Sequence, residues 1–310
     1  MMYKTDKMKS CPKPAAPRKS KKNRGSALGK VLIYAALILY LLWILFPFLI
    51  LLLTSVTPQT ELDSSMHFIW WPEKFSLEAY KTVLYEDIYA QMLYGDNLSS
   101  IMHGFLNTMW QVLPSTLVGL FMSGLSAFAF AKLQFKGRDK LFVCLVATML
   151  IPGAVLAMPS YLFYDAIGWT DSVLPLIIPG LFGSAGVVFF LRQFFMGLPD
   201  SLIEAARLDG LSNMGIYVRI IIPLSKPAFI AQGLFVFIGG YNNFQGPLLY
   251  LSNLPELAPL QLALNLFQGG YGNPAVRCAS ALVAMLPLLI IYCFTQKFFT
   301  EGIAMSGLKA

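Results

Sequence analysis

The sequence of 310 residues predicts an all-α membrane protein of six spans, on three observations. Hydrophobic residues make up 56% of the chain and charged residues only 13%, well below the ~25% of soluble domains. Apolar stretches long enough to cross a bilayer recur along its length. The connections between them alternate between basic and non-basic, the asymmetry that orients spans in a membrane.

The first apolar stretch, Val31–Leu53, covers 23 residues, or ~34 Å of helix at 1.5 Å per residue. It is too long for the h-region of a signal peptide, and no small-residue cleavage site follows it, so it reads as an uncleaved first span. Further stretches run at about 106–131, 141–164, 174–195, 226–250 and 277–296. Pro and Gly interrupt several, which membrane helices tolerate where neighbours satisfy the freed backbone groups.

Residues 1–30 carry ten Lys or Arg against Asp6 alone. The connection 132–140 carries Lys132, Lys136, Arg138 and Lys140, the next basic connection Arg192, Arg207, Arg219 and Lys226, and the end of the chain Lys297 and Lys309. In contrast, 54–100 holds seven acids against Lys74 and Lys81, and 248–276 has Glu256 with no Lys or Arg. The expected topology therefore places both termini in the cytoplasm and 54–100 outside. The net charge of +7 follows from this bias and does not suggest a nucleic-acid partner. The organisation expected is a basic, disordered tail over 1–30, a six-span domain over 31–300 and a short cytoplasmic tail over 301–310. The first tail is a topology signal or, in addition, a contact for anionic lipid heads. Within the external connection, Trp70, Trp71 and Pro72 precede a helical-looking run, Ser76–Leu93. That run reads either as a cap facing an external partner or as an interfacial helix packed on the bundle.

Much familiar chemistry is absent. Cys11, Cys144, Cys278 and Cys293 form no C-x-x-C pair and are expected to be small buried apolar residues. His67 and His103 lack metal-ligand spacing. There is no phosphate-binding G-x-x-x-x-G-K-[ST] loop, so the chain is not expected to hydrolyse ATP, and no nucleophile elbow or carboxylate pair marks an enzyme.

The most informative segment lies between two spans, from Pro199 to Pro227. Ser201 and Glu204 have capping-box spacing, Ala205 and Ala206 favour helix, and Gly210 suits a left-handed stop, which predicts a short helix over 201–209. A second helix is expected over about 212–222, ending before Pro223. Helices this short are marginal alone and need a partner surface. The spacing is Glu204-Ala205-Ala206, then Gly210, Ile220 and Pro223, with Ile222 where Leu is usual. It resembles the cytoplasmic coupling loop, here 197–223, of permease subunits of binding-protein-dependent ABC importers.

The resemblance covers roughly residues 30–310. Ile151-Pro152-Gly153, Met158-Pro159-Ser160-Tyr161 and Leu174-Pro175-Leu176-Ile177-Ile178-Pro179-Gly180 look like the third and fourth spans of maltose-type sugar permeases. Tyr241-Asn242-Asn243-Phe244 with Pro247 resembles the family's Trp-Asn-acid-Phe motif in the fifth span, with Tyr for Trp and Asn243 for the acid. Gly302 to Ala310 is similar to the tail of the MalG-like member of the permease pair. The resemblance implies the six-helix type I ABC importer fold and a bacterial cell-membrane location. It also implies a complex with a paralogous permease, two ATPase subunits that bind ATP and Mg, and an external lipid-anchored solute-binding protein. A sugar or oligosaccharide would be the solute, and no cofactor would reside in this chain. Glu204, Ala205, Ala206, Arg207, Asp209, Gly210, Ile220 and Pro223 would then dock on the ATPase. Tyr241, Asn242, Asn243, Phe244 and Gln245 are the candidates for the substrate path. Amides beside lipid are costly, so Asn242, Asn243 and Gln245 are expected to face the bundle interior, as sugar contacts or as glue between helices. Glycines at Gly180, Gly183 and Gly186, and at Gly119 and Gly124, are expected to pack helices closely. The alternative function is a self-contained secondary carrier or channel. That would need ionisable residues inside the spans, and the span cores hold almost none.

Overall fold

The computed structural model describes residues 27–64, 69–85, 87–270 and 272–307. Cys11, His67, most of the basic tail and the last three residues lie outside them. The chain divides into two units, Met1–Leu49 and Ile50–Ala310. Helix α1 (Ala27–Ser55) begins in the first, is apolar along its length and contains Pro47. In the second unit, α2 (Gln59–Ser64), α3 (Glu78–Leu84) and α4 (Ile88–Tyr94) precede α5 (Ser100–Lys132). Then come α6 (Arg138–Thr148), α7 (Gly153–Ala166), α8 (Leu174–Leu181), α9 (Ala185–Met196), α10 (Asp200–Leu208) and α11 (Asn213–Ile216). A π-helical turn (Tyr217–Ile221) leads into α12 (Ile222–Leu224), α13 (Lys226–Tyr241), α14 (Gln245–Tyr250), α15 (Leu260–Gly270) and α16 (Pro274–Gly307).

Among the described residues, four stretches are long and apolar enough to cross a membrane as single helices: Gly29–Ser55, Ser100–Lys132, Leu174–Met196 and Pro274–Gln296. Two further pairs, α6 with α7 and Asn213–Leu224 with α13, are bent by 95° and 85°. Six spans result when each bent pair counts as one. The expected third span, 141–164, is therefore not continuous. Pro152 has no N–H to continue the ladder and takes extended backbone, φ −61° and ψ 129°, as N-cap of α7. The expected fifth span, 226–250, is also interrupted: α13 stops at Tyr241 and α14 restarts at Gln245. Asn243 Oδ1 accepts from Gly246 N at 3.2 Å, a local bond that competes with a continuing helix.

Helix α5 is the hub, packing against α8, α9, α13 and α15. Ser115, Gly119 and Ser123 line its crossing with α8 and α9. A Cβ built on Gly119 would collide with the Gly180 carbonyl, and one on Gly180 would lie 2.8 Å from Ser115 Cβ. Gly183, at φ +87°, interrupts the fourth span between α8 and α9, and Ser184 N donates to Ser123 Oγ at 3.0 Å across the crossing. Gly186 makes no such approach, since only Met149 Cε comes near, at 3.7 Å.

The connection 54–100 folds back on the bundle, with α3 packing on α16. The expected helical run 76–93 is two helices, because Asp87 serves two helix starts at once. Its Oδ1 accepts from Ala90 N at 3.2 Å and its Oδ2 from Ser100 N at 2.7 Å, which satisfies free donors of α4 and α5. Beside them, Asp96 accepts from Leu98 N at 3.0 Å and meets His103 Nε2 at 3.0 Å. That His103 bond, more than any other group, holds the Asp96 carboxyl below its ordinary range.

Cys144 and Cys293 are exposed and Cys278 is half-buried, so the expectation of buried cysteines fails for the described ones. In a bilayer, an apolar side chain needs no protein cover to leave water.

Candidate functional site

Helix α10 begins at Asp200, one residue earlier than expected. Its N-cap is Pro199, without a side-chain cap bond, so Ser201 and Glu204 do not form the expected capping box. Instead, Lys132 closes this end. Its Nζ donates to the Leu198 carbonyl at 2.7 Å and to Asp200 Oδ1 at 2.6 Å, with the lysine side chain 5% exposed. Asp200 stands in the first turn of α10, where a negative charge suits the helix dipole.

The other end closes by backbone alone. Gly210 is at φ +81°, its N–H donates to Arg207 O and the Leu211 N–H donates to Ala206 O, both at 3.0 Å. This is the Schellman pattern, and it ties off carbonyls that the helix end leaves free. A Cβ on Gly210 would meet nothing within 4 Å, so the position demands glycine for its φ, not for space.

Between these ends, Ile203 and Ala206, three residues apart, bury against a cluster containing Leu191, Phe195 and Tyr217. The opposite face presents Glu204, Ala205, Arg207, Asp209 and Leu208, and the leucine is 90% exposed. The Glu204 carboxylate accepts no hydrogen bond among the described residues. Ser212 caps α11, accepting from Gly215 N at 3.2 Å. Tyr217 is fully buried and donates its hydroxyl to the Phe121 carbonyl at 2.8 Å, through space that Gly124 leaves open. The helix does not end before Pro223 as expected. The π turn bonds Ile222 N to Tyr217 O, five residues back, and this wider turn carries the chain through Pro223 to Leu224. Ile220 packs on the same cluster and Pro223 is exposed.

Lys132, Tyr217 and Leu208 were not singled out from sequence. The end of α5 is basic in any topology, and the partners of Lys132 lie 66 and 68 residues away. Lys132→Met is expected to cost about 1.5–3 kcal/mol, the range of a charged hydrogen bond, toward the low end because Asp200 is exposed to solvent screening. A lower thermal midpoint of the purified chain, with faster proteolysis at 197–212, would check it.

The second candidate region surrounds the break after α13. Tyr241 is 1% exposed and donates its hydroxyl to the Ala284 carbonyl of α16 at 2.8 Å, which separates it from the other candidates. Asn242, Asn243 and Gln245 are exposed, while Phe244 packs beside Leu251 and Leu262. The three amides therefore do not face the interior of this chain. Asn242 Oδ1 accepts from Gln261 Nε2 at 3.2 Å. Asn243 borders two cavities. One, of about 270 Å³, is lined by Ser115, Thr116, Ser123, Ser184 and five glycines. The other, of about 440 Å³, lies against Ser160, Gln245 and Tyr250.

The family described as "Binding-protein-dependent transport system inner membrane component" matches residues 115–304, from the middle of α5 into α16. The arabinooligosaccharides transport system permease protein of Bacillus subtilis (strain 168) is 33% identical over 273 residues, 86% of this chain and 90% of the relative. The polygalacturonan/rhamnogalacturonan transport system permease protein of the same strain is 30% identical over 304 residues, 93% of this chain and 99% of the relative. A chain in the crystal structure of a bacterial ABC transporter involved in the import of the acidic polysaccharide alginate superimposes with a TM-score of 0.73 at 22% identity. That alignment covers 92% of this chain and 100% of the other.

Proposed function

The chain belongs to the family of binding-protein-dependent transport system inner membrane components, and from that premise we propose that it is the coupling subunit of an ATP-driven importer of saccharides. Its fold is the all-α type I transmembrane domain of such importers, and it is a multi-pass membrane protein. In this reading, two ATPase subunits hydrolyse ATP with Mg, a paralogous permease completes the path, and an external binding protein delivers the sugar. Both termini face the cytoplasm, as the basic connections direct.

The observation that carries the proposal is α10: buried on one face, locked at both ends, and presenting Leu208 at 90% exposure where a folded monomer has no use for it. Glu204, Ala205, Arg207 and Asp209 surround that leucine on the exposed side and would sit in a socket on the ATPase. Push on α10 reaches α5 by two routes, the Lys132–Asp200 pair and the Tyr217–Phe121 bond. Closure of the ATPase dimer would thereby rock the bundle between inward-open and outward-open states.

Tagged chain purified from its native membrane is expected to bring with it a second permease, an ATPase and a binding protein. Leu208→Glu is expected to lose the ATPase and keep the second permease, since burying a leucine is worth ~1.5–3 kcal/mol and burying an unpaired carboxylate costs more. Recovery of this chain alone, stable and monodisperse, would favour the secondary carrier instead.

A further inference from the structure

The two cavities that meet at Asn243 share a chemical character that narrows the solute. Their walls offer hydroxyls from Ser115, Thr116, Ser123, Ser184 and Ser160, and amides from Asn243 and Gln245. No Lys, Arg, Asp or Glu lines either one among the described residues. Thr116 is buried, yet its hydroxyl has no hydrogen-bond partner among the described residues, where a helical Thr ordinarily bonds back to its own helix.

The larger cavity is built to a pattern. Gly153, Leu156, Ala157 and Ser160 stand at i, i+3, i+4 and i+7, along a single face of α7, and line it together. Gly153 and Ala157 leave room, and Ser160 marks the polar end of the stripe. Tyr250, on the opposite wall, stacks on Tyr161 at 6.2 Å between ring centroids and meets Tyr164 edge-on at 5.6 Å, so its position is set by two neighbours. An amide both donates and accepts, which suits the mixed hydroxyls of a sugar. Aromatic and aliphatic walls suit the C–H faces of its rings. A carboxylate entering the same space would leave water without meeting a cation, a severe cost inside a membrane.

We propose that these cavities form this chain's wall of a site for an uncharged saccharide, with Asn243 as the specificity-determining residue between them. The proposal rests on the saccharide-importer reading above and narrows its solute to neutral sugars, excluding uronates. Asn243 is suited to this place because its amide both donates to and accepts from the hydroxyls of an uncharged sugar.

The test uses the intact transport complex in sealed liposomes, with maltotriose and arabinotriose as neutral probes and trigalacturonate as the anionic one. The wild-type complex is expected to take up at least one neutral probe about tenfold faster than trigalacturonate. Asn243→Leu keeps the size and removes both the donor and the acceptor, and is expected to lower neutral uptake about tenfold, with partial recovery in Asn243→Gln. A second measurement guards against a variant that fails to fold. Ser160→Cys, in a complex otherwise freed of cysteine, is labelled with a neutral maleimide. The transported neutral sugar is expected to slow that labelling several-fold, and trigalacturonate to leave it unchanged.

Equal uptake of both classes, wild-type neutral uptake in Asn243→Leu, or labelling indifferent to the transported sugar would each overturn the neutral site while leaving the importer reading intact. Uptake of no saccharide of either class would overturn the importer reading, and the neutral site with it.

Discussion

Gly210→Val is expected to abolish coupled transport while the chain still inserts into the membrane. At φ +81° a β-branched residue is strained whatever space surrounds it, and nothing within 4 Å would contact its Cβ. The penalty is therefore conformational, about 1–3 kcal/mol for a residue forced into a sparsely populated region. The chain would escape that strain by abandoning the two bonds to Arg207 and Ala206 that close α10. Leu208 and the surrounding Glu204 and Asp209 would then lose their fixed presentation. Gly210→Asn separates the causes, because asparagine accepts the left-handed conformation and should retain most activity. Uptake and transport-linked ATP hydrolysis by the reconstituted complex are the measurements. Normal uptake in Gly210→Val would remove the glycine from the mechanism.

Gly119→Val is expected to do something different, preventing a stable bundle altogether. Its Cβ would run into the Gly180 carbonyl, and a backbone oxygen cannot rotate away as a side chain can. The same crossing includes Gly183, whose own Cβ would press on Ser123 Oγ and lie 2.9 Å from the Gly119 carbonyl. Helices in lipid gain little from hiding apolar surface and associate through close backbone packing and interhelical bonds. Forcing α5 away from α8 and α9 would thus remove the main attraction at the hub, including the Ser184–Ser123 bond. Overpacking costs typically 1–3 kcal/mol and occasionally more, and this site belongs at or beyond roughly 3 because both partners are backbone. Aggregated expression, or a much lower unfolding midpoint in detergent, would be the outcome. Gly269→Ala is the control: its Cβ would meet nothing within 4 Å, so its midpoint should stay at the wild-type value.

The two substitutions also separate what a reader of the sequence can see. Gly210 was legible because a C-terminal glycine after an Ala-rich turn is a local pattern, and the left-handed turn is where that pattern places it. The role of Gly119 was only half legible. Small residues recur in the span, but nothing nearby in sequence says that Gly180 is the residue they face. Gly186 has the same spacing and no close contact. The capping box at Ser201 and Glu204 was a reasonable local reading that lost to a distant residue: Lys132 holds Asp200, and α10 starts earlier as a result. Tyr241 misled for a related reason. Its neighbours are amides, but its own hydroxyl belongs to the carbonyl of Ala284.

Composition and order alone determined that the chain lives in a membrane and where its apolar stretches fall, because transfer to lipid depends on what a segment is made of. The tertiary structure alone decided which face of each helix meets another helix, where Pro152 and Asn243 break the spans, and which polar groups line the cavities. The physical reason is that a membrane helix is apolar on its lipid side and its protein side alike, so the periodicity that tells inside from outside in a soluble protein is absent, and facing is set by contacts between residues far apart in the chain.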